Sequence, residues 1–267
     1  MRPLAVIGHL SRDVVSGGAP QIGGGSWHAA RALRALGIGA TIFAKCGEPE
    51  RREFQRKLSS TGLPTVLSVA GETTGFAMSY DERHVRTMHV EAIGEPWAPR
   101  EASPDMLRSV AWLHVAPLLR SDFSAETLAH LARGRRVLFD GQGLVRAPEI
   151  GPLRLDGDFD RDLLRHIAIL KLAEEEARAI IGDAELESLA DLGVPEVVVT
   201  FGLEGSLVLA RGVATRVPAH VVDTDPTGAG DAFAVAYTAA RADGHAPESA
   251  ARRATALVNA LLVGRSR

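Results

Sequence analysis

The stretch Asp225-Pro226-Thr227-Gly228-Ala229-Gly230-Asp231-Ala232-Phe233 decides how this chain reads. It follows an apolar, β-branched run from Val217 to Val222 and opens into an alanine-rich helical pattern from Ala232 to Arg241. Glycines at 228 and 230 let the backbone turn tightly with no Cβ in the way, so several N–H groups can point at one spot. That spot falls at a helix N-terminus, where unpaired N–H groups and the macrodipole favour an anion. Asp231 then sits within reach of whatever the loop holds. A carboxylate beside an anion cradle suits a general base that takes a proton from an attacking hydroxyl. The plainer alternative is a glycine-rich strand-to-helix turn in which Asp231 is an ordinary first-turn acid.

Working outward, the rest of the chain alternates short apolar runs with helical patterns. Leu4 to Ile7, Ala40 to Ala44, Trp112 to Val115, Arg136 to Asp140, Ile167 to Lys171 and Glu196 to Thr200 read as buried strands. Helical patterns follow several of them, notably Trp27 to Leu36, stopped by Gly37, and Ser124 to Leu131. Such alternation implies an α/β fold with a mostly parallel sheet covered by helices on both faces. Between Thr65 and Glu91 the pattern changes to short strands (Val66 to Val69, Gly75 to Tyr80, Val85 to Val90), with Asp81-Glu82-Arg83 suited to a hairpin. A length of 267 residues fits one large domain, 1–267, or one domain with a small appendage, and these strands either form a lid or extend the main sheet.

Composition narrows the function classes. At 46% hydrophobic and 24% charged the chain can bury a sizeable core. A net charge of −3 gives no electrostatic case for nucleic acid or an anionic membrane. Cys46 is the single cysteine, which excludes an intrachain disulfide and points to a cytoplasmic protein. The apolar run at the N-terminus is too short for a signal peptide. No segment reaches the length of a transmembrane helix. A P-loop kinase is disfavoured, because no Gly-x-x-x-x-Gly-Lys-Ser/Thr string occurs.

The 225–233 string resembles the second signature of the ribokinase-like (PfkB) sugar kinases. The resemblance implies a three-layer ribokinase-like fold with a small β lid, here about 11–22 and 65–91, that crosses the substrate cleft and offers a homodimer surface. It implies that Gly228, Ala229 and Gly230 form the anion hole and that Asp231 is the catalytic base. The opening is similar to the family's N-terminal pattern, in which an early Asp and a Gly-Gly pair before a helix hold sugar hydroxyls. On that likeness Asp13, Gly24 and Gly25 are substrate-site candidates. His28 stands where the family often has Asn. Asp13 reads equally as a solvated loop acid.

Other matches follow in family order. Asp140, Gln142 and Arg146 lie just beyond a buried strand, where open parallel sheets bind ligands. Their Gln-Gly-x-x-Arg run is similar to one in inositol-kinase-like members. Lys171 and Glu176 match Lys-x-Asn-x-x-Glu, whose acidic residue helps position magnesium, but Ala173 replaces the Asn. Thr200, Gly202 and Gly205 match the Thr-x-Gly-x-x-Gly turn that lines the nucleotide. Thr227 and, on the last helix, Asn259 join Lys171 as nucleotide-side candidates. The family implies ATP and Mg²⁺ and leaves a monovalent cation open. The reading is then an ATP-dependent kinase acting on a sugar or polyol hydroxyl, with a cyclitol such as myo-inositol favoured. Two alternatives stand: a nucleoside kinase of the same family, and a kinase-fold protein that binds nucleotide or polyol without transferring phosphate, which Ala173, His28 and the degraded 45–49 loop motivate.

Overall fold

The computed structural model describes residues 3–80, 86–101, 107–219 and 228–265. In chain order its first strands are β1 (Leu4–His9), β2 (Ser11–Val15), β3 (Gln21–Gly23), β4 (Thr41–Cys46), β5 (Thr65–Val69), β6 (Thr74–Tyr80) and β7 (Arg86–Ala92). They are followed by β8 (Trp112–Ala116), β9 (Arg136–Asp140), β10 (Gly151–Pro152), β11 (Ile169–Ala173), β12 (Glu196–Thr200), β13 (Ser206–Ala210) and β14 (Val213–Val217). The α-helices are α1 (Gly25–Leu36), α2 (Arg51–Ser59), α3 (Ala125–Ala132), α4 (Gln142–Val145), α5 (Glu174–Ile181), α6 (Ala229–Ala242) and α7 (Pro247–Arg265).

Nine strands form one sheet in the order β14-β13-β12-β11-β9-β8-β1-β4-β5. From β12 to β5 every neighbouring pair is parallel, and the β13–β14 hairpin closes one edge antiparallel. The central strands are buried on both faces, which is why they read as continuous apolar runs rather than alternating ones. Successive side chains then feed two cores. Val6, Leu138, Ile169 and Val198 pack under α1, α6 and α7. Ile7, Val115, Phe139 and Leu170 pack on the opposite side with α3 and α5. The result is the three-layer α/β arrangement that the alternating pattern implies.

A second sheet of five strands runs β10-β7-β6-β2-β3. Its inner face carries Phe76 and Val90, which pack on Leu118 and Leu119 just past β8. One sequence expectation fails here. Thr65–Val69 does not belong to this second sheet; it pairs parallel with β4 as the outermost strand of the main sheet. Its residues are half-buried throughout, as at a sheet edge, and five half-apolar residues carry no mark of which sheet will take them. The second sheet is instead built from 11–15, 21–23, 74–80, 86–92 and 151–152. The Asp81-Glu82-Arg83 turn lies outside the described residues.

Candidate active site

The site lies at the carboxyl ends of the parallel strands. Asp140 and Thr200 are the last residues of β9 and β12, and α6 begins over them. Gly228 caps α6 at φ +77°, the left-handed conformation that glycine adopts without steric cost. The first bond of the helical ladder runs from the Ala232 N–H to the Gly228 carbonyl at 3.0 Å, so the N–H groups of residues 229–231 precede the ladder. Asp231 is half-buried in this first turn.

Around Asp231 the fold gathers charges from four elements. Asp140 and Lys171 face each other across β9 and β11 in register, with Lys171 Nζ 3.4 Å from Asp140 Oδ1. Glu176 is buried on α5, where its Oε2 accepts the Ala173 N–H at 2.8 Å and back-caps the helix. Ala173 has no side-chain acceptor to complete a capping box. Arg146 follows α4. Burial pushes the Asp231 carboxyl up to about 6; Lys171 and Arg146 pull against that shift, and Glu176 adds to it. Burial also raises Asp140 and Glu176, with Lys171 opposing both. For Lys171 burial disfavours the charge, but Asp140, Glu176 and Asp231 outweigh it and hold the ammonium above the ordinary lysine range. The arrangement is a carboxyl raised towards neutrality beside a turn whose N–H groups precede the helical ladder, chemistry that would suit a general base.

Beside this cluster runs a cleft lined by Thr200, Gly202, Gly205, Ala229, Gly230 and Asn259, together with Phe233, Thr255 and Val258. The structure thus brings four separately inferred residues, Thr200, Gly202, Gly205 and Asn259, to the 228–230 turn. Phe233, Thr255 and Val258 were missed. Thr255 lies one helical step from Asn259, so the spacing along α7 was the available signal. Gly205 at φ +102° is a packing necessity as well: a Cβ there would stand 2.1 Å from the Val217 carbonyl oxygen.

On the acceptor side the placements differ from the expected reasons. Asp13 projects over Gly23, where a Cβ would meet its Oδ2 at 1.9 Å. Gly24 has φ +93°, and a Cβ would lie 2.6 Å from the His9 carbonyl oxygen; one on Gly25 would lie 2.8 Å from Ala116 Cβ. Packing of α1 against the ends of β1 and β8 therefore demands both glycines, whether or not a polyol approaches them. His28 reaches the other half of the site, its Nδ1 3.1 Å from the position a Cβ on Gly228 would take. Gln142 donates its side-chain amide to the Pro117 carbonyl, which ties α4 to the loop after β8. Lys171 is not on the cleft wall but buried beneath it. Thr227 lies outside the described residues.

Residues 16–263 match the profile of the pfkB family carbohydrate kinases. The chain belongs to that family. It is a phosphotransferase of the PfkB type. A cytidine kinase from Thermococcus kodakarensis is 26% identical over 265 residues, covering 94% of this chain and 93% of the relative. Among solved structures, a pyrophosphate-dependent kinase of the ribokinase family, complexed with a pyrophosphate analogue and myo-inositol, superposes with a TM-score of 0.83. It is 21% identical, over 97% of this chain and 95% of that one. A nucleoside kinase from Burkholderia thailandensis in complex with inosine gives a TM-score of 0.75 at 18% identity, over 97% and 90% of the two chains. No described helix is long and apolar enough to cross a membrane.

Proposed function

We propose that this PfkB kinase transfers the terminal phosphoryl group of ATP to a hydroxyl of a polyhydroxylated small molecule, with Asp231 as general base. The observation that carries the reading is geometric: the unladdered N–H groups at the start of α6 and Asp231 in its first turn adjoin the Thr200–Asn259 cleft, and burial raises the Asp231 carboxyl. ATP lies along that cleft, and its terminal phosphate meets the N–H groups that open α6. Asp231 takes the acceptor proton as the hydroxyl oxygen bonds to phosphorus and the bond to ADP breaks. The same N–H groups, with Arg146, stabilise charge on the transferred group.

Among the described residues no three carboxylate, histidine or cysteine groups cluster to hold a metal ion. Mg²⁺ needs no such cluster, because it keeps its waters and binds through substrate phosphates with one or two carboxylates. Glu176 would stand behind its water shell, and the bound ion would neutralise phosphate charge. The second sheet serves as a lid that excludes competing water, with Asp13 facing the acceptor. Val15 and Tyr80, exposed on that sheet, support pairing of two copies through it, which sedimentation equilibrium would report.

A cyclitol acceptor is the first reading, and a nucleoside is the second, favoured by the cytidine kinase relative. The deciding experiment incubates the protein and Mg²⁺ with ATP or pyrophosphate against a panel of sugars, inositols and nucleosides. Phosphorylated product with one acceptor class identifies it. Release of no ADP or phosphate with any pair would leave a binding protein and overturn the kinase assignment.

A further inference from the structure

Lys171 is a lysine in an unusual place. It is 5% exposed, on the sheet face covered by α6, level with Asp140 on one neighbouring strand and Val198 on the other. Nζ stands 3.4 and 3.5 Å from the two Asp140 oxygens, and a Cβ on Gly230 would sit 3.3 Å from it. The ammonium is therefore wedged between a strand-end carboxylate and the first turn of α6. A charge buried this deeply is retained only where paired charges offset its desolvation. Here they are Asp140, Glu176 and Asp231.

We propose that Lys171, held by Asp140, is a positioning residue: it fixes the Asp231 carboxylate and the turn at Gly230 and does not touch the donor phosphates. The inference rests on Asp231 being the base of the proposed kinase. Among the described residues, the charged groups acting on Asp231 are Lys171 from β11, Arg146 from beyond α4 and Glu176 from α5, and Asp231 in turn interacts with Asp140 from β9. Two are cations and two are carboxylates, so the two members of the buried pair act on Asp231 with opposite sign. Loss of Lys171 leaves Arg146 as the single cation, favours the protonated Asp231 and raises the pH at which the base ionises. Loss of the Asp140 charge removes a repulsion and lowers it.

The test compares Lys171→Met, Lys171→Arg and Asp140→Asn by pH–rate profile and by separate kcat and ATP KM. Lys171→Met is expected to lower kcat by about 10-fold or more at neutral pH, leaving the ATP KM within about 2-fold. Its acid limb moves up by about one pH unit, while that of Asp140→Asn moves down. Lys171→Arg, which keeps the charge, holds the limb near the wild-type position. An ATP KM raised about 10-fold with the limb unmoved would make Lys171 a donor contact and overturn the proposal. So would limbs that stay in place in both neutralised variants. Should Lys171→Met not fold, the downward shift in Asp140→Asn still decides. If the wild type transfers no phosphoryl group, the kinase reading fails alone. ¹³C NMR titration of the Asp231 carboxyl, assigned by its loss in Asp231→Asn, then reads the same opposed shifts without turnover.

Discussion

In the proposed reaction Asp231 carries the proton transfer, and its surroundings set the working pH. Burial pushes its carboxyl up to about 6. Because the base acts ionised, kcat/KM should fall about tenfold per pH unit below that value and level off above it. Asp231→Asn keeps the shape and removes the base. Circular dichroism and nucleotide binding should match wild type, while kcat drops by about 10²- to 10⁴-fold. Turnover near wild type would take Asp231 out of the mechanism. The candidate residue is read from the nine-residue string alone. The raised value is not, because it depends on Arg146 and on the Lys171–Glu176 stretch, which arrive from two other parts of the chain.

The helix that presents Asp231 is anchored at its far end. Tyr237 donates its hydroxyl to Glu196 at 2.5 Å, and Arg241 donates Nε and Nη2 to the same carboxylate at 3.0 and 2.9 Å. Glu196 starts β12, whose other end, Thr200, lines the cleft, so one buried carboxylate ties α6 to the strand beneath it. Glu196→Ala leaves Arg241 without its carboxylate, with the His245 carbonyl and the Trp112 ring still beside it, and should cost about 3–5 kcal/mol in urea denaturation. A loss below about 1 kcal/mol would show the tie to be ornamental. The start of α1 is equally constrained. Gly24→Ala meets both a positive φ and the His9 carbonyl, so it should destabilise by about 1–3 kcal/mol or more, before any effect on acceptor binding. The family resemblance marked these glycines for ligand approach, and the structure adds a packing demand. The close contacts behind them join residues far apart in the chain.

Across the whole molecule, the segment from β7 back to the main sheet is held by a buried polar network. Glu101 accepts from Lys45 at 2.8 Å, from Ser68 at 2.7 Å and from the Ala98 N–H at 2.7 Å, while Lys45 lies over the Trp97 ring. His9 Nδ1 is 3.1 Å from Asp122, which also accepts the Leu118 and Leu119 N–H groups. These residues fasten β1, β4 and β5 to the strap that leads out of the second sheet. Burial works to raise the Glu101 carboxyl, but the Ala98 N–H, Lys45 and Ser68 together hold it below the usual glutamate range. A depressed folded-state value stabilises the fold above the unfolded glutamate pKa, and that contribution is lost as pH falls through the folded one. Stability measured against pH should therefore decline on the acid side, and Glu101→Gln should flatten that part of the curve. An unchanged acid limb in the variant would remove Glu101 from the strap's anchorage.

Sequence alone determined the α/β class, six of the seven parallel strands of the central sheet and the identity of the signature turn, because each is written in local periodicity or in one contiguous string. It also named Thr200, Gly202, Gly205 and Asn259 without showing that they share a wall. Tertiary structure decided what local pattern cannot carry. It assigned Thr65–Val69 to the main sheet, buried Lys171 beneath the cleft rather than in it, and spent the Gln142 amide on Pro117. The physical reason is common to all three. Burial, partner and sheet neighbour are properties of distance in space, and a five-residue strand or a lone polar side chain meets the same local rules wherever the fold puts it.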